Sequence, residues 1–374
     1  MTIYLTEIFL VFFLWQFRKY KLRSIWTKID GKTFYLIVIF FIFGITMALR
    51  KYTVGTDTEV YYGMYKNIAH SSSFKQALNV SKIPSAIVYV GIHYCITRVI
   101  FYPQLCMVVN SLIIAVGFFK FIKRESTDYL LSSVLFIGLT FFYESMNGTR
   151  QFMAISLAIN AFSILENDIT NYKGWSLFIL AVGIHNTILT FTLSFFGVFI
   201  AKQCKSIWLI HIVSVFLSAL IALSFTLCVK IIIRIFPYYE MYVNGNNPFQ
   251  IFSATGKGRI AILYLTLFVV ITVASQLISY KNQNKMTLKA YHFGCIFCLV
   301  MGMIFPKNVL LNRILWPFLT LLVVYLPNLL SQYLNMMNRR ILYVISICFP
   351  LAYSMIHLIS DKSGIIPYLP FWVK

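Results

Sequence analysis

The side chains of this sequence that can do chemistry fall into a few short clusters. The first is Arg50-Lys51-Tyr52-Thr53-Val54-Gly55-Thr56-Asp57, followed by Tyr61. Gly55 permits a tight turn, and Arg50 offers a fixed cation to an anionic ligand. Asp57 can cap the helix that follows, or serve as an acid, a base or an acceptor for a substrate hydroxyl. The second cluster, Asn147-Gly148-Thr149-Arg150-Gln151, stands where an apolar helix begins. Unpaired N–H groups and the positive end of the helix dipole, joined by a guanidinium, suit a phosphate. The bland alternative for Arg150 is snorkelling to the membrane interface. In the third, His185-Asn186-Thr187 interrupts an apolar run, so an imidazole stands beside a half-helix; a histidine bonded to a backbone carbonyl is the competing reading. Arg313 forms the fourth, about one turn inside its apolar run, where Trp316-Pro317 should kink the helix. Arg259, in Lys257-Gly258-Arg259, is a lesser candidate that can snorkel. His211 and His357 read as structural.

The elements that must position these residues are membrane helices. Of 374 residues, 59% are hydrophobic and 11% charged, too few charges to keep most of the chain in water. Apolar runs lie at 3–17, 33–49, 103–122, 127–143, 149–165, 206–232, 259–280, 289–305, 309–330 and 340–358. Two irregular segments, 83–101 and 174–201, fit a re-entrant or interfacial element and a broken hairpin. The expectation is an all-α polytopic bundle of about 11–12 transmembrane segments, some broken or re-entrant. It forms a single multi-pass transmembrane domain over 1–374, with external loops at about 50–82 and 233–258.

Lys and Arg number 32 against 11 Asp and Glu, an excess that in such a chain belongs to cytoplasmic loops on an anionic leaflet rather than to nucleic-acid binding. The loop carrying Arg18, Lys19, Lys21, Arg23, Lys28 and Lys32 is the strongest cytoplasmic marker. With the basic loops inside, Arg50, Arg150, Arg259 and Arg313 collect on the opposite side. The sequence has no P-loop, HExxH helix or GxSxG elbow, and its cysteines lack metal-ligand spacing, so no metal or cofactor is called for.

These clusters, in this order, resemble the EpsG/Wzy-type polymerases of O-antigen and exopolysaccharide synthesis. Arg50 with Gly55-Thr56-Asp57 and Tyr61 carries the resemblance, then Arg150-Gln151 with Ala154, His185-Asn186-Thr187, and Arg313. It implies a GT-C-like glycosyltransferase of the bacterial inner (plasma) membrane that joins undecaprenyl-diphosphate-linked oligosaccharide repeat units on its outer face. Arg50, Arg150, Arg313 and Arg259 would then serve the diphosphate, Asp57 or His185 the acceptor hydroxyl, and Gln151, Tyr61 and Asn186 other parts of the substrate. Membrane lipid and a chain-length regulator are the implied partners, with no cofactor. A lipid-linked oligosaccharide flippase and an O-antigen ligase are the alternatives; a flippase should show two related halves, and no paired motifs occur.

Overall fold

The computed structural model describes residues 1–19, 21–23, 28–81, 86–204, 206–235, 240, 260–277, 286–332, 336–361 and 363–373. They fold as two compact units, Met1–Leu189 with Pro350–Lys374, and Thr190–Phe349. Four helices, Gly31–Leu49, Leu105–Glu125, Ile260–Leu277 and Met337–Ser360, are each long and apolar enough to cross a membrane, and the number rises to 7 if each of 3 bent helix pairs is one span. A backbone in lipid must bond to itself, which is why these apolar runs are helical. The chain is an all-α polytopic membrane protein, whose one sheet among the described residues is a two-stranded hairpin.

The first unit begins with α1 (Thr2–Trp15), the hairpin β1 (Lys21–Arg23) and β2 (Lys28–Asp30), and α2 (Gly31–Leu49). Asp30 starts α2 by accepting the Thr33 amide at 3.2 Å. Within the stretch 50–82, the helix expected after Asp57 is present as α3 (Thr58–Ala69), and a second, α4 (Phe74–Val80), follows it. Of the segment 83–101, the described part is one short helix, α5 (Ile87–Val99). Then come α6 (Leu105–Glu125), α7 (Tyr129–Gly138), α8 (Phe141–Asn147), α9 (Thr149–Leu165) and α10 (Tyr172–Ile184).

Helix α9 lies in the middle of this unit because its small residues let neighbours come close. Ala154, Ala158 and Ala161 are completely buried. A Cβ on Gly117 of α6 would lie only 2.6 Å from the Ser156 Cβ, and Asn160 Nδ2 donates to the Gly117 carbonyl at 2.8 Å across the same contact. The apolar run 127–143 is broken: α7 and α8 bend by 49° where Thr140 takes a left-handed φ of 66°.

The second unit holds α11 (Leu193–Gln203), α12 (Ile207–Leu223), α13 (Phe225–Ile235), α14 (Ile260–Leu277), α15 (Met286–Ile304), α16 (Val309–Leu319) and α17 (Leu322–Ser331). The last helix, α18 (Met336–Ser360), belongs to it as far as Phe349 and to the first unit from Pro350. The apolar run 206–232 is broken at Ser224, where α13 turns 70° from α12. The bend expected from Pro317 is present: α16 and α17 meet at 44°, a few residues beyond the proline, whose missing N–H leaves the Arg313 carbonyl without its usual partner. His211, read as structural, bonds through Nδ1 to His292 Nε2 at 3.1 Å, and His292 Nδ1 pairs with the Tyr325 hydroxyl at 2.5 Å, a polar line joining α12, α15 and α17.

Candidate functional site

The site forms in the first unit around the break between α8 and α9. Gly148, at φ −81° and ψ 46°, separates the two helices, and α9 starts at Thr149 with no side chain capping its amides. Helices normally bind their first N–H groups to a capping oxygen, which a glycine at this position does not supply. Arg150 stands in the same turn, partly exposed. Its Nε is buried without a hydrogen-bond partner, and among the described residues no carboxylate pairs with it. A cation left so beside a helix N-terminus is suited to an anion supplied from outside.

The Gly55-Thr56-Asp57 turn is tied to this break. Asn147 Oδ1 accepts from the Thr56 hydroxyl at 2.6 Å and from the Asp57 amide at 2.9 Å. Thr58 Oγ1 donates to the Val54 carbonyl at 2.7 Å and to that of Met146 at 3.1 Å. Gly55 is required where it stands. Its φ is 97°, and a Cβ would lie 2.6 Å from Thr58 Oγ1 and 3.0 Å from the Met146 carbonyl oxygen. Asp57 is thereby fixed at the start of α3, partly exposed, with no side-chain cap bond to the helix.

On the other side of α9, Gln151 Nε2 donates to Thr187 Oγ1 at 3.4 Å, and that hydroxyl lies 2.7 Å from His185 Nδ1. The Thr187 amide also donates to Nδ1, at 3.4 Å. An amide can only donate, so Nδ1 is the acceptor and the neutral ring carries its proton on Nε2. The break anticipated at His185-Asn186 is real: α10 ends at Ile184, His185 is extended, and a 3-10 helix runs from Asn186 to Thr192.

The network thus brings Asp57, Arg150, Gln151 and His185 around one helix break. Arg50 differs from the expectation of a diphosphate ligand. It is 0% exposed, and its guanidinium is used by the protein: NH1 donates to the Met47 carbonyl, and NH2 to the Met146 carbonyl at 2.9 Å and to Thr149 Oγ1 at 3.0 Å. Met47 and Met146 lie at the C-terminal ends of α2 and α8, where carbonyls lack helical partners and the dipole is negative, so a buried cation clamps both ends. Desolvation lowers its pKa to about 10, which leaves it charged at neutral pH. Tyr61 packs against Tyr89 at 6.3 Å between ring centroids. Arg313 is half-buried in the second unit, over the Trp316 ring at 5.8 Å, and Arg259 lies outside the described residues.

Sequence reasoning passed over Glu144 and the segment 363–373, and took His357 as structural without a partner in view. Ser363 Oγ donates to Glu144 Oε1 at 3.1 Å and lies 2.9 Å from His357 Nε2, with Glu144 3.4 Å from the same nitrogen. The legible signal was Glu144 itself, a carboxylate within an apolar run, which demands partners.

A model of the EpsG family matches residues 32–369. No curated protein and no solved structure matches the chain.

Proposed function

Because the chain belongs to the EpsG family, we propose that it is a membrane glycosyltransferase that polymerises lipid-linked oligosaccharides, as O-antigen and exopolysaccharide polymerases do. The donor is a growing glycan on undecaprenyl diphosphate and the acceptor a single lipid-linked repeat unit, on the outer face of the bacterial plasma membrane. The observation that carries this reading is Arg150, a cation without a carboxylate partner among the described residues, at the uncapped start of α9.

In the reaction, the acceptor hydroxyl oxygen forms a bond to the anomeric carbon of the donor while the bond from that carbon to the diphosphate breaks. Lipid diphosphate leaves with the bonding electrons. Arg150 and the first amides of α9 take up the charge that develops on it, and preorganised donors there act without reorganising. The hydroxyl proton goes to Asp57. His185 is the weaker base, since Nδ1 is occupied by Thr187; its Nε2–H serves as a donor to substrate oxygen. Gln151 holds that ring in place through Thr187. Arg313 remains a second candidate for the diphosphate, and Asn186 for the sugar.

The test is reconstitution of the full chain with a defined lipid-diphosphate-linked repeat unit, read as a ladder on a gel. A ladder of many repeats supports the polymerase, with its rate falling by about 10²–10⁴-fold in Asp57→Asn. Movement of the unit across the bilayer without new bonds would make the chain a flippase and sink the reading. Transfer of a finished glycan to a different lipid acceptor without elongation would make it a ligase.

A further inference from the structure

The Gly55-Thr56-Asp57 turn is held from one side by Asn147. From the other it is held by a segment more than three hundred residues away in sequence. Two of its three amides enter that segment: Gly55 N donates to the Gly364 carbonyl at 2.7 Å, and Thr56 N to the Ser363 carbonyl at 3.1 Å. The contact continues as a short extended pairing, with Arg50 opposite Pro370, Lys51 N donating to Leu369 O at 2.7 Å and Phe371 N to Leu49 O at 2.8 Å. Gly364 itself is in the left-handed region at φ 62°, and a Cβ there would lie 3.0 Å from Thr56 Cγ2.

The segment arrives already shaped. Asp361 Oδ1 accepts the amides of Ile365 at 2.8 Å and Ile366 at 3.1 Å, closing the turn after α18. Ser363 is 1% exposed, and its hydroxyl sits between His357 and Glu144. Donating to the carboxylate, that hydroxyl is left to accept from His357 Nε2–H. Glu144 belongs to α8, one turn before Asn147, and its own carbonyl accepts the Gly148 amide at 2.7 Å, at the break where α9 begins. One residue therefore touches both halves of the site's frame.

We propose that Glu144, His357 and Ser363 form a latch: positioning residues that lock the segment 363–373 onto the Gly55–Asp57 turn and so set the Asp57 carboxylate against the α8–α9 break. That Asp57 takes the proton rests on the polymerase reading above; the latch itself does not. Losing the Ser363 hydroxyl frees the segment without removing any group from the site, whereas Thr at that position keeps the bond.

Hydrogen exchange on the full chain in lipid nanodiscs reads the latch directly, at the amides of Gly55 and Thr56. In Ser363→Ala their exchange should quicken by about 3- to 10-fold, and more in Glu144→Gln, which weakens a charged acceptor. Peptides of α6 and α9 should exchange as before, and Ser363→Thr should restore protection. Unchanged exchange at Gly55 and Thr56 in both variants overturns the latch. In the ladder assay, the same variants should lower kcat with KM for the repeat unit unchanged. A kcat loss without faster exchange also overturns it, since the effect would not pass through the turn. If the wild-type chain makes no polymer while the exchange pattern holds, the functional reading fails and the latch stands.

Discussion

An arginine stands at either end of α9, and their surroundings are opposite. At the C-terminal end, Arg124 of α6 donates through Nε to Glu125 Oε1 at 2.8 Å and to Ser163 Oγ at 2.6 Å, and through NH2 to the Asn160 carbonyl at 3.2 Å. Glu166 lies buried beside this group, and burial, added to the nearby Glu125 charge, raises its pKa to about 9. At the N-terminal end, Arg150 has a buried Nε with no partner and stands in the first turn of a helix whose N-cap, Gly148, supplies no side-chain acceptor. The residue type is the same, yet the more exposed arginine, Arg124, is the one with its acceptors supplied, while Arg150 keeps a buried Nε without one. What separates a structural arginine from one suited to a ligand is whether the protein already supplies its acceptors.

Exchanging the roles of these ends is the sharpest way to break the contrast. Arg150→Ala should cut the rate of polymerisation on a lipid-linked repeat unit by about 10²–10³-fold, with thermal unfolding hardly changed. Arg50→Ala should do the reverse and destabilise the chain by about 3 kcal/mol, because carbonyls at the ends of α2 and α8 lose their donor together. A smaller loss, about 1–2 kcal/mol, is expected for Arg124→Ala in the same melts, with activity kept within a few-fold. Should Arg124→Ala abolish polymerisation and Arg150→Ala only lower stability, the assignment of the two ends is inverted.

The smallest effect is one of pH. The Glu166 carboxyl has its pKa raised from 4.5 to about 9 in the fold, so the native state holds a proton that the unfolded chain gives up. Its contribution to stability is fully present below pH 4.5 and is lost as pH rises to about 9. Glu166→Gln should flatten the decline in melting temperature across that window. An undiminished slope in the variant would remove Glu166 from the account.

The helices were legible in the sequence because apolar runs report directly on lipid, and so was the break at His185-Asn186, where polar residues interrupt one. Gly55 announced its turn for a reason the structure makes concrete, since a Cβ would meet Met146 and Thr58. Arg50 was legible as an unusual charge, but not as a clamp, because its acceptors are backbone carbonyls that carry no residue signature. The partnership of Ser363 with Glu144 was beyond reach for another reason: periodicity describes one element at a time, and this bond joins positions 219 residues apart. The helix after Asp57 was legible from its capping residue, whereas α4 was not, since its seven residues bury only Ala77.

The central claim is that Arg150, at the start of α9, holds the diphosphate of a lipid-linked glycan. Equilibrium binding of a lipid-diphosphate-linked repeat unit to the full chain in nanodiscs tests it most directly, comparing wild type, Arg150→Ala and Arg124→Ala. Loss of one charged hydrogen-bonding group should weaken binding by about 10- to 100-fold in Arg150→Ala and leave Arg124→Ala at the wild-type value. Equal affinity of wild type and Arg150→Ala would contradict the account.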